Sequence, residues 1–304
     1  GPGSVVYTSE DQQLVLCFCR ELFGSQSLLD PRESLDHYRP DGNRLMRELN
    51  GSFCMALIER AKNKIFVATD RLNSKKIYLS HGKSHSIFST SIYLQPTAGR
   101  KIDKASVAAY LTNGSLINNR TLFENIETLE GACVYEYSAE ALTKDVYWDY
   151  HFDGSYGSRP LRALKTEMSD LLIAAVRRRL PTTGAPLLSL SGGYDSSAIL
   201  GILGESLRLR DVRCFSYGYG DTQDSSDEYI SQRMASLYGY KVRQVTSFRG
   251  DLAAVIARNG QLGQGASHFC HEVDACVELG RDSQLKDPPC LFAGDECLGW
   301  KNRP

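Results

Sequence analysis

Seven consecutive residues, Ser191-Gly192-Gly193-Tyr194-Asp195-Ser196-Ser197, combine the groups needed to hold a string of phosphates. Two glycines leave no side chain between a ligand and the backbone N–H groups, and three serines add hydroxyl donors. A strand ending just before them and a helix starting just after would aim the positive end of the helix dipole at the anion. Asp195 is repelled by phosphates unless a cation lies between, so it implies Mg²⁺, which takes a few carboxylates plus phosphate oxygens. The bland alternative, a serine-rich helix cap, explains three of these residues but not all seven in order. A second acidic segment, Leu291-Phe292-Ala293-Gly294-Asp295-Glu296-Cys297-Leu298-Gly299-Trp300, places Asp295 100 residues beyond Asp195. Two parallel strands of one sheet would present both aspartates to a single Mg²⁺-pyrophosphate.

Other motifs carry less. Gly82-Lys83-Ser84 has the end of a Walker loop, but Ile77 stands where its first glycine belongs. Gly218-Tyr219-Gly220 lacks the third glycine of a dinucleotide loop, at Gln223. His268-Phe269-Cys270-His271 with Cys276 fits no common zinc spacing and reads as ordinary surface and core. Asp227-Glu228 offers carboxylates to a substrate or metal, yet acids in a first helical turn are favoured by the dipole alone. Arg177-Arg178-Arg179 reads as a solvated helix end.

The elements that must position these residues fall into two unlike halves. Up to about Tyr150, short alternating runs at Leu14 to Cys19, Phe53 to Glu59, Lys64 to Thr69, Lys76 to Ser80 and Ser86 to Ser89 read as strands. Asp103 to Leu111 reads as a helix with Asp103 as N-cap. A Gly, Ser and Tyr rich stretch around Phe152 to Arg159 marks a boundary, and a helix runs from Pro160 to about Leu180. Beyond it strand and helix alternate: Pro186 to Leu190, helix Ser196 to Leu207, Val212 to Tyr217, helix Asp227 to Tyr238, Lys241 to Val245, and a later strand Pro289 to Ala293. That alternation predicts an α/β domain with a parallel sheet and crossover helices.

The 304 residues suit two domains, and 42% apolar with 23% charged residues matches ordinary globular protein. A net charge of -1 supplies no global field for nucleic acid or an anionic membrane, so any anion is held locally. No apolar stretch approaches the roughly 20 residues of a membrane span. Nine cysteines without paired C-x-x-C spacing point to reduced thiols and a cytoplasmic location. Gly1-Pro2-Gly3-Ser4 reads as an expression scar.

Ser191 to Ser197 resembles the S-G-G-x-D-S signature of ATP pyrophosphatases of the PP-loop type. The two loops and the elements between them resemble the asparagine synthetase family, which carries S-G-G-x-D-S-S and a later G-x-D-E-x-x-x-G-Y; the second is matched by Gly294-Asp295-Glu296 with Gly299-Trp300, one residue shorter. The front half is similar too: Leu49-Asn50-Gly51-Ser52-Phe53-Cys54-Met55-Ala56-Leu57 to the family's L-x-G-x-F-A-F-A-L strand, and Ala68-Thr69-Asp70-Arg71 to its A-R-D-R turn. Leu111-Thr112-Asn113-Gly114, Thr121 to Ile126 and Tyr147-Trp148-Asp149 continue the likeness, which extends from about Glu48 to Trp300.

The resemblance implies an N-terminal Ntn-hydrolase-like αββα domain over residues 5–152 and a parallel-sheet, HUP-like ATP pyrophosphatase domain over 160–304. It implies ATP and Mg²⁺ as cofactors, Asp195 and Asp295 as metal ligands acting with Ser191 in catalysis, and Leu190, Ser191, Gly192, Gly193, Asp195, Ser196, Ser197, Tyr217 and Gly294 around the nucleotide. Phe215-Ser216-Tyr217-Gly218 would lie near the adenine. The family's front domain releases ammonia from glutamine with a first-residue cysteine, whereas Cys17 and Cys19 are internal and no R-G-P-D or N-G-E segment is found. The expectation is therefore a glutaminase-deficient member, similar to β-lactam synthetase, carbapenam synthetase or, by preference, lasso-peptide macrolactam cyclases. Such enzymes join a carboxylate and an amine of one peptide or small molecule through an acyl-adenylate, releasing AMP and pyrophosphate. A glutamine-dependent amidotransferase and a non-catalytic nucleotide-binding interaction module are the alternatives. The family's synthetase domain runs past the Asp-Glu loop to a pyrophosphate-binding lysine and amine-activating residues, so a chain stopping at Pro304 is expected to be truncated, binding ATP but forming little product alone.

Overall fold

The computed structural model describes residues 4–23, 46–82, 85–95, 100–138, 141–152, 154–218, 226–246, 252–265, 277–281 and 290–294. The chain divides into two compact units, Gly1–Asp153 with Leu262–His268, and Gly154–Gln261 with Phe269–Pro304.

In the first unit, six strands form an antiparallel sheet in the order β1-β2-β3-β4-β8-β9: β1 Ser4–Thr8, β2 Leu14–Leu22, β3 Gly51–Glu59, β4 Lys64–Thr69, β8 Cys133–Tyr137 and β9 Leu142–Val146. A three-stranded sheet runs β6-β5-β7, with β5 Tyr78–His81, β6 Ser86–Ser89 and β7 Ile126–Thr128. Alternation along β2 and β3 gives the large sheet two apolar faces. One carries Leu16, Phe18, Phe53, Met55 and Leu57; the other carries Cys54, Val67 and Cys133 and packs against Ile77 and Leu79 of the smaller sheet. Helix α1, Lys104–Asn113, starts at Asp103 as expected, the carboxylate accepting from the Ala105 and Ser106 amides and pairing with Arg120 at 2.5 Å.

The motif residues of this unit have structural work. Asp70 is buried, and its carboxylate accepts from the amides of Phe53, Leu72 and Ser74 and from the Ser74 hydroxyl. It ties the turn after β4 to the start of β3. At Gly51 the strands come so close that a Cβ would lie 2.2 Å from the Glu21 carbonyl oxygen, which makes glycine obligatory there.

The second unit holds a four-stranded, all-parallel sheet ordered β12-β11-β10-β13: β10 Leu187–Ser189, β11 Arg213–Gly218, β12 Val242–Thr246 and β13 Leu291–Phe292. Its helices are α2 Leu161–Arg178, α3 Tyr194–Gly201, α4 Asp227–Ser236 and α5 Leu252–Leu262. One face buries Leu188, Leu190, Cys214 and Phe292 against Val176 of α2, Ile199 and Leu200 of α3 and Ala235 of α4. The other buries Leu187, Phe215 and Val245 with Leu279. This matches the predicted parallel α/β arrangement. Helix α3 starts two residues before the predicted Ser196 and widens into a π-helical turn at Ile202–Ser206, where Gly204 lies against the Tyr238 ring; a Cβ would fall 2.4 Å from a ring carbon. The strands β1, β7, β8 and β9 and helix α5 are not foreseen by the sequence patterns above.

Candidate active site

Strand order reverses at β10. From it the chain steps to β11 and then β12 on one side, and returns as β13 on the other. In open α/β sheets, ligands bind beyond the strand C-termini at such a reversal. The segment 191–197 leaves β10 there, and the paired registers Leu187↔Leu291 and Leu188↔Phe292 bring the end of β13 out beside it.

Leu190 is fully buried, and its amide makes the last ladder bond, 2.9 Å to the Phe215 carbonyl. The chain then turns at Gly192, whose φ of +71° is a left-handed conformation that favours glycine. Ile230 of α4 leaves no room there either, since a Cβ would sit 2.8 Å from its Cγ2. The serines knit the turn together. Ser196 Oγ accepts from the Ser191 amide and lies 3.3 Å from Ser191 Oγ; it also donates to the Gly193 carbonyl at 3.3 Å. Gly193 is the N-cap of α3, and no side chain caps the helix at that position. The first turn of α3 therefore presents its amides and dipole to the loop without a competing capping side chain. Asp195 and Ser197 are half-buried in that turn, while Ser196 is buried.

Gly294 settles where β13 leads. A Cβ on it would lie 2.5 Å from the Ser196 amide nitrogen and 2.7 Å from Asp195 Cβ, so its backbone rests directly on the first turn of α3. The expected residues Leu190, Ser191, Gly192, Gly193, Asp195, Ser196, Ser197 and Gly294 are thus brought together around one helix N-terminus. Asp295, the next residue in the chain, lies outside the described residues, as do Glu296, Lys83 and Ser84, Tyr219 and Gly220, and the His268 to Cys276 segment. Tyr217 is half-buried near the end of β11 and packs with the Phe215 cluster on the sheet face away from Leu190.

The start of α4 also borders this site, although its acids read as ordinary first-turn residues in the sequence. The first turn of α4, capped by Ser226, lies over the same strand ends. The Asp227 carbonyl is 3.5 Å from the place of a Gly192 Cβ, and the Glu228 carboxylate lies over Gly218, with Oε1 1.8 Å from where a Cβ would stand. The sequence signal was the pairing of an acidic helix start with a glycine at a strand end. Among the described residues, no three His, Cys, Asp or Glu side chains converge as a metal site. The described cysteines are free; burial pushes the Cys54 thiol up to about 12 and Cys214 up to about 11, and raises Cys133, which makes them poor nucleophiles.

Comparison with known proteins adds two matched domain models: a glutamine amidotransferase domain over residues 21–148 and an asparagine synthase domain over residues 167–261. The first match begins well before Glu48, where the sequence likeness was placed. A putative glutamine-hydrolysing asparagine synthetase 2 of Methanocaldococcus jannaschii is 25% identical over 205 residues, covering 65% of this chain and 39% of that protein. Amidase chyE of Penicillium rubens is 22% identical over 223 residues (68% and 33% covered), and asparagine synthetase 3 of Bacillus subtilis 27% over 186 residues (60% and 30%). The chain spans about a third of the length of the curated relatives it matches. A glutamine phosphoribosylpyrophosphate amidotransferase from B. subtilis superimposes at a TM-score of 0.31 and 13% identity over 94% of this chain and 76% of its own, too distant to bear an argument. No helix among the described residues is long and apolar enough to cross a membrane. The chain thus matches an amidotransferase domain followed by an asparagine synthase domain, and it is similar to proteins of the asparagine synthetase family.

Proposed function

We propose that this chain carries the nucleotide half of an ATP-dependent, AMP-forming carbon–nitrogen ligase. The observation that supports this most is Gly294 resting on Asp195 and Ser196 at the reversal of strand order. In this reading the amides of Gly192, Gly193 and the first turn of α3, with the Ser191 and Ser197 hydroxyls, hold the pyrophosphate portion of ATP. The donor set fits a divalent cation, because Asp195 is a carboxylate among groups that otherwise attract anions; Asp295 is the second proposed ligand. Bound Mg²⁺ would supply neutralisation of the departing pyrophosphate. Leu190, Tyr217 and Gly294 border the nucleotide. A substrate carboxylate attacks the α-phosphorus, giving an acyl-adenylate and pyrophosphate, and an amine then displaces AMP. Positioning of the two groups is the main contribution of the pocket.

In its finer form the amine belongs to the same substrate as the carboxylate, so that the product is a lactam or isopeptide, as in lasso-peptide cyclases or β-lactam synthetases. The placement of Cys17 and Cys19 inside β2, with Cys54 and Cys133 held protonated by burial, favours this form. The glutamine amidotransferase match over residues 21–148 and the relatives named as glutamine-hydrolysing favour a second reading, in which the amine is ammonia from glutamine.

Calorimetry with a non-hydrolysable ATP analogue and Mg²⁺ tests the site. Binding that is lost in Asp195→Ala and kept in Cys19→Ala is expected; no binding by the parent chain points instead to a non-catalytic module. Pyrophosphate release against a panel of carboxylates tests the chemistry, and glutamine hydrolysis by the protein would put the second reading first.

A further inference from the structure

The opposite ends of the same strands hold a different feature. Leu187, Arg213 and Val242 open β10, β11 and β12, and beside them lies a cleft of about 490 Å³. Among the described residues its walls carry four cations, Arg210, Arg213, Lys241 and Arg243, against a single acid, Asp211. Arg243 is paired with Glu278 at 3.8 Å, whereas Arg210, Arg213 and Lys241 are exposed and make no ion pair among the described residues. The end of α4 at this edge favours a nearby cation, but one lysine would satisfy that helix dipole, and four cations do not follow from it. Like charges gathered around a concavity repel one another and concentrate a positive field that a bound anion relieves.

Beneath the charges the wall is apolar. Leu187, Phe215 and Leu279 belong to one buried cluster, and Tyr240 is held in place by its hydroxyl, which donates to the Leu209 carbonyl at 2.6 Å. Gly239 on the lining has a φ of +74° and open space where a Cβ would lie. We propose that this cleft binds a small molecule bearing at least two phosphoryl groups. Arginine forks grip phosphoryl oxygens in pairs, and the lysine adds a point charge. The cleft does not depend on the ligase reading, because residues 191–197 leave the sheet at its other edge.

The chain is titrated calorimetrically with inorganic pyrophosphate and, separately, with ADP, in EDTA so that no divalent cation assists residues 191–197. The R213Q/K241Q variant should weaken binding about tenfold or more, while Ser191→Ala leaves it unchanged and added salt weakens it in the parent. Removing the lone acid with Asp211→Asn should tighten it. ADP binding tighter than pyrophosphate identifies a nucleotide as the occupant; equal or weaker ADP binding identifies an inorganic pyrophosphate or polyphosphate. The exchanged side chains are exposed, so an unchanged thermal midpoint verifies that R213Q/K241Q is folded. No binding at millimolar ligand, unchanged affinity in R213Q/K241Q, or loss in Ser191→Ala overturns the proposal.

Discussion

Gly192 is held in the left-handed region with Ile230 of α4 over its α-carbon, and both facts set the cost of giving it a side chain. In Gly192→Ala the new Cβ would stand 2.8 Å from Ile230 Cγ2 and 3.0 Å from Ile230 Cβ, where ordinary contact begins at 3.4 Å. Loop and helix must therefore part by about 0.6 Å, or the isoleucine must move. The φ of +71° costs an L-residue about 1–2 kcal/mol, and overpacking adds about 1–3 kcal/mol, so the variant should lose about 2–5 kcal/mol. Ile230→Ala removes the obstruction but not the backbone strain. A double-mutant cycle in urea, followed by circular dichroism, should return an interaction energy of about 1–3 kcal/mol, the overpacking part alone. Binding of the ATP analogue should fall in Gly192→Ala and partly recover in the double variant. An interaction energy below about 0.5 kcal/mol, or a Gly192→Ala protein as stable as its parent, would show that the loop does not rest on α4 in this way.

Gly294→Ala puts a methyl 2.5 Å from the Ser196 amide nitrogen and 2.7 Å from the Asp195 carbonyl carbon, backbone atoms that cannot turn aside; analogue binding should drop by about tenfold or more even where thermal stability falls little, as read by calorimetry. Asp70→Ala leaves the amides of Phe53, Leu72 and Ser74 without their acceptor inside the first unit and should cost about 3 kcal/mol or more in denaturant unfolding. Asp103 is held down to about 2, first by its hydrogen bond from Arg120. A depressed carboxyl contributes stability above its unfolded pKa of about 4 and loses it as pH falls toward about 2, so Asp103→Asn should flatten the acid limb of stability in that window, measured by circular dichroism.

How far the sequence could be read depended on whether the signal was local. Helix α2 was legible because Leu161, Leu164, Met168, Leu171, Leu172 and Ala175 repeat at helical spacing between Pro160 and Pro181, although Leu161, Met168 and Leu171 are exposed. The Asp103 cap was legible because a capping carboxylate acts on amides two and three residues away. Strand β9 was not, since it is an edge strand whose residues 143–146 are exposed and carry no alternation. Nor was β1, whose first residue, Ser4, falls in the segment that reads as an expression scar yet pairs with Cys19. The π-helical turn at Ile202–Ser206 also escaped, being set where Gly204 meets Tyr238, a residue from the turn after α4.

Residues 191–197 announced a tight turn at a helix start by themselves, because glycine's freedom, serine hydroxyls and a helix start act over one or two residues of chain. What the sequence left open was which elements close around that turn. Only the tertiary structure decided that β13 returns beside β10 rather than beyond β12, that Gly294 therefore rests on Asp195, and that Ile230 and Glu228 of α4 wall the strand ends. Strand order and helix docking are chosen by the burial of whole faces from distant segments, a sum that no local window of residues contains.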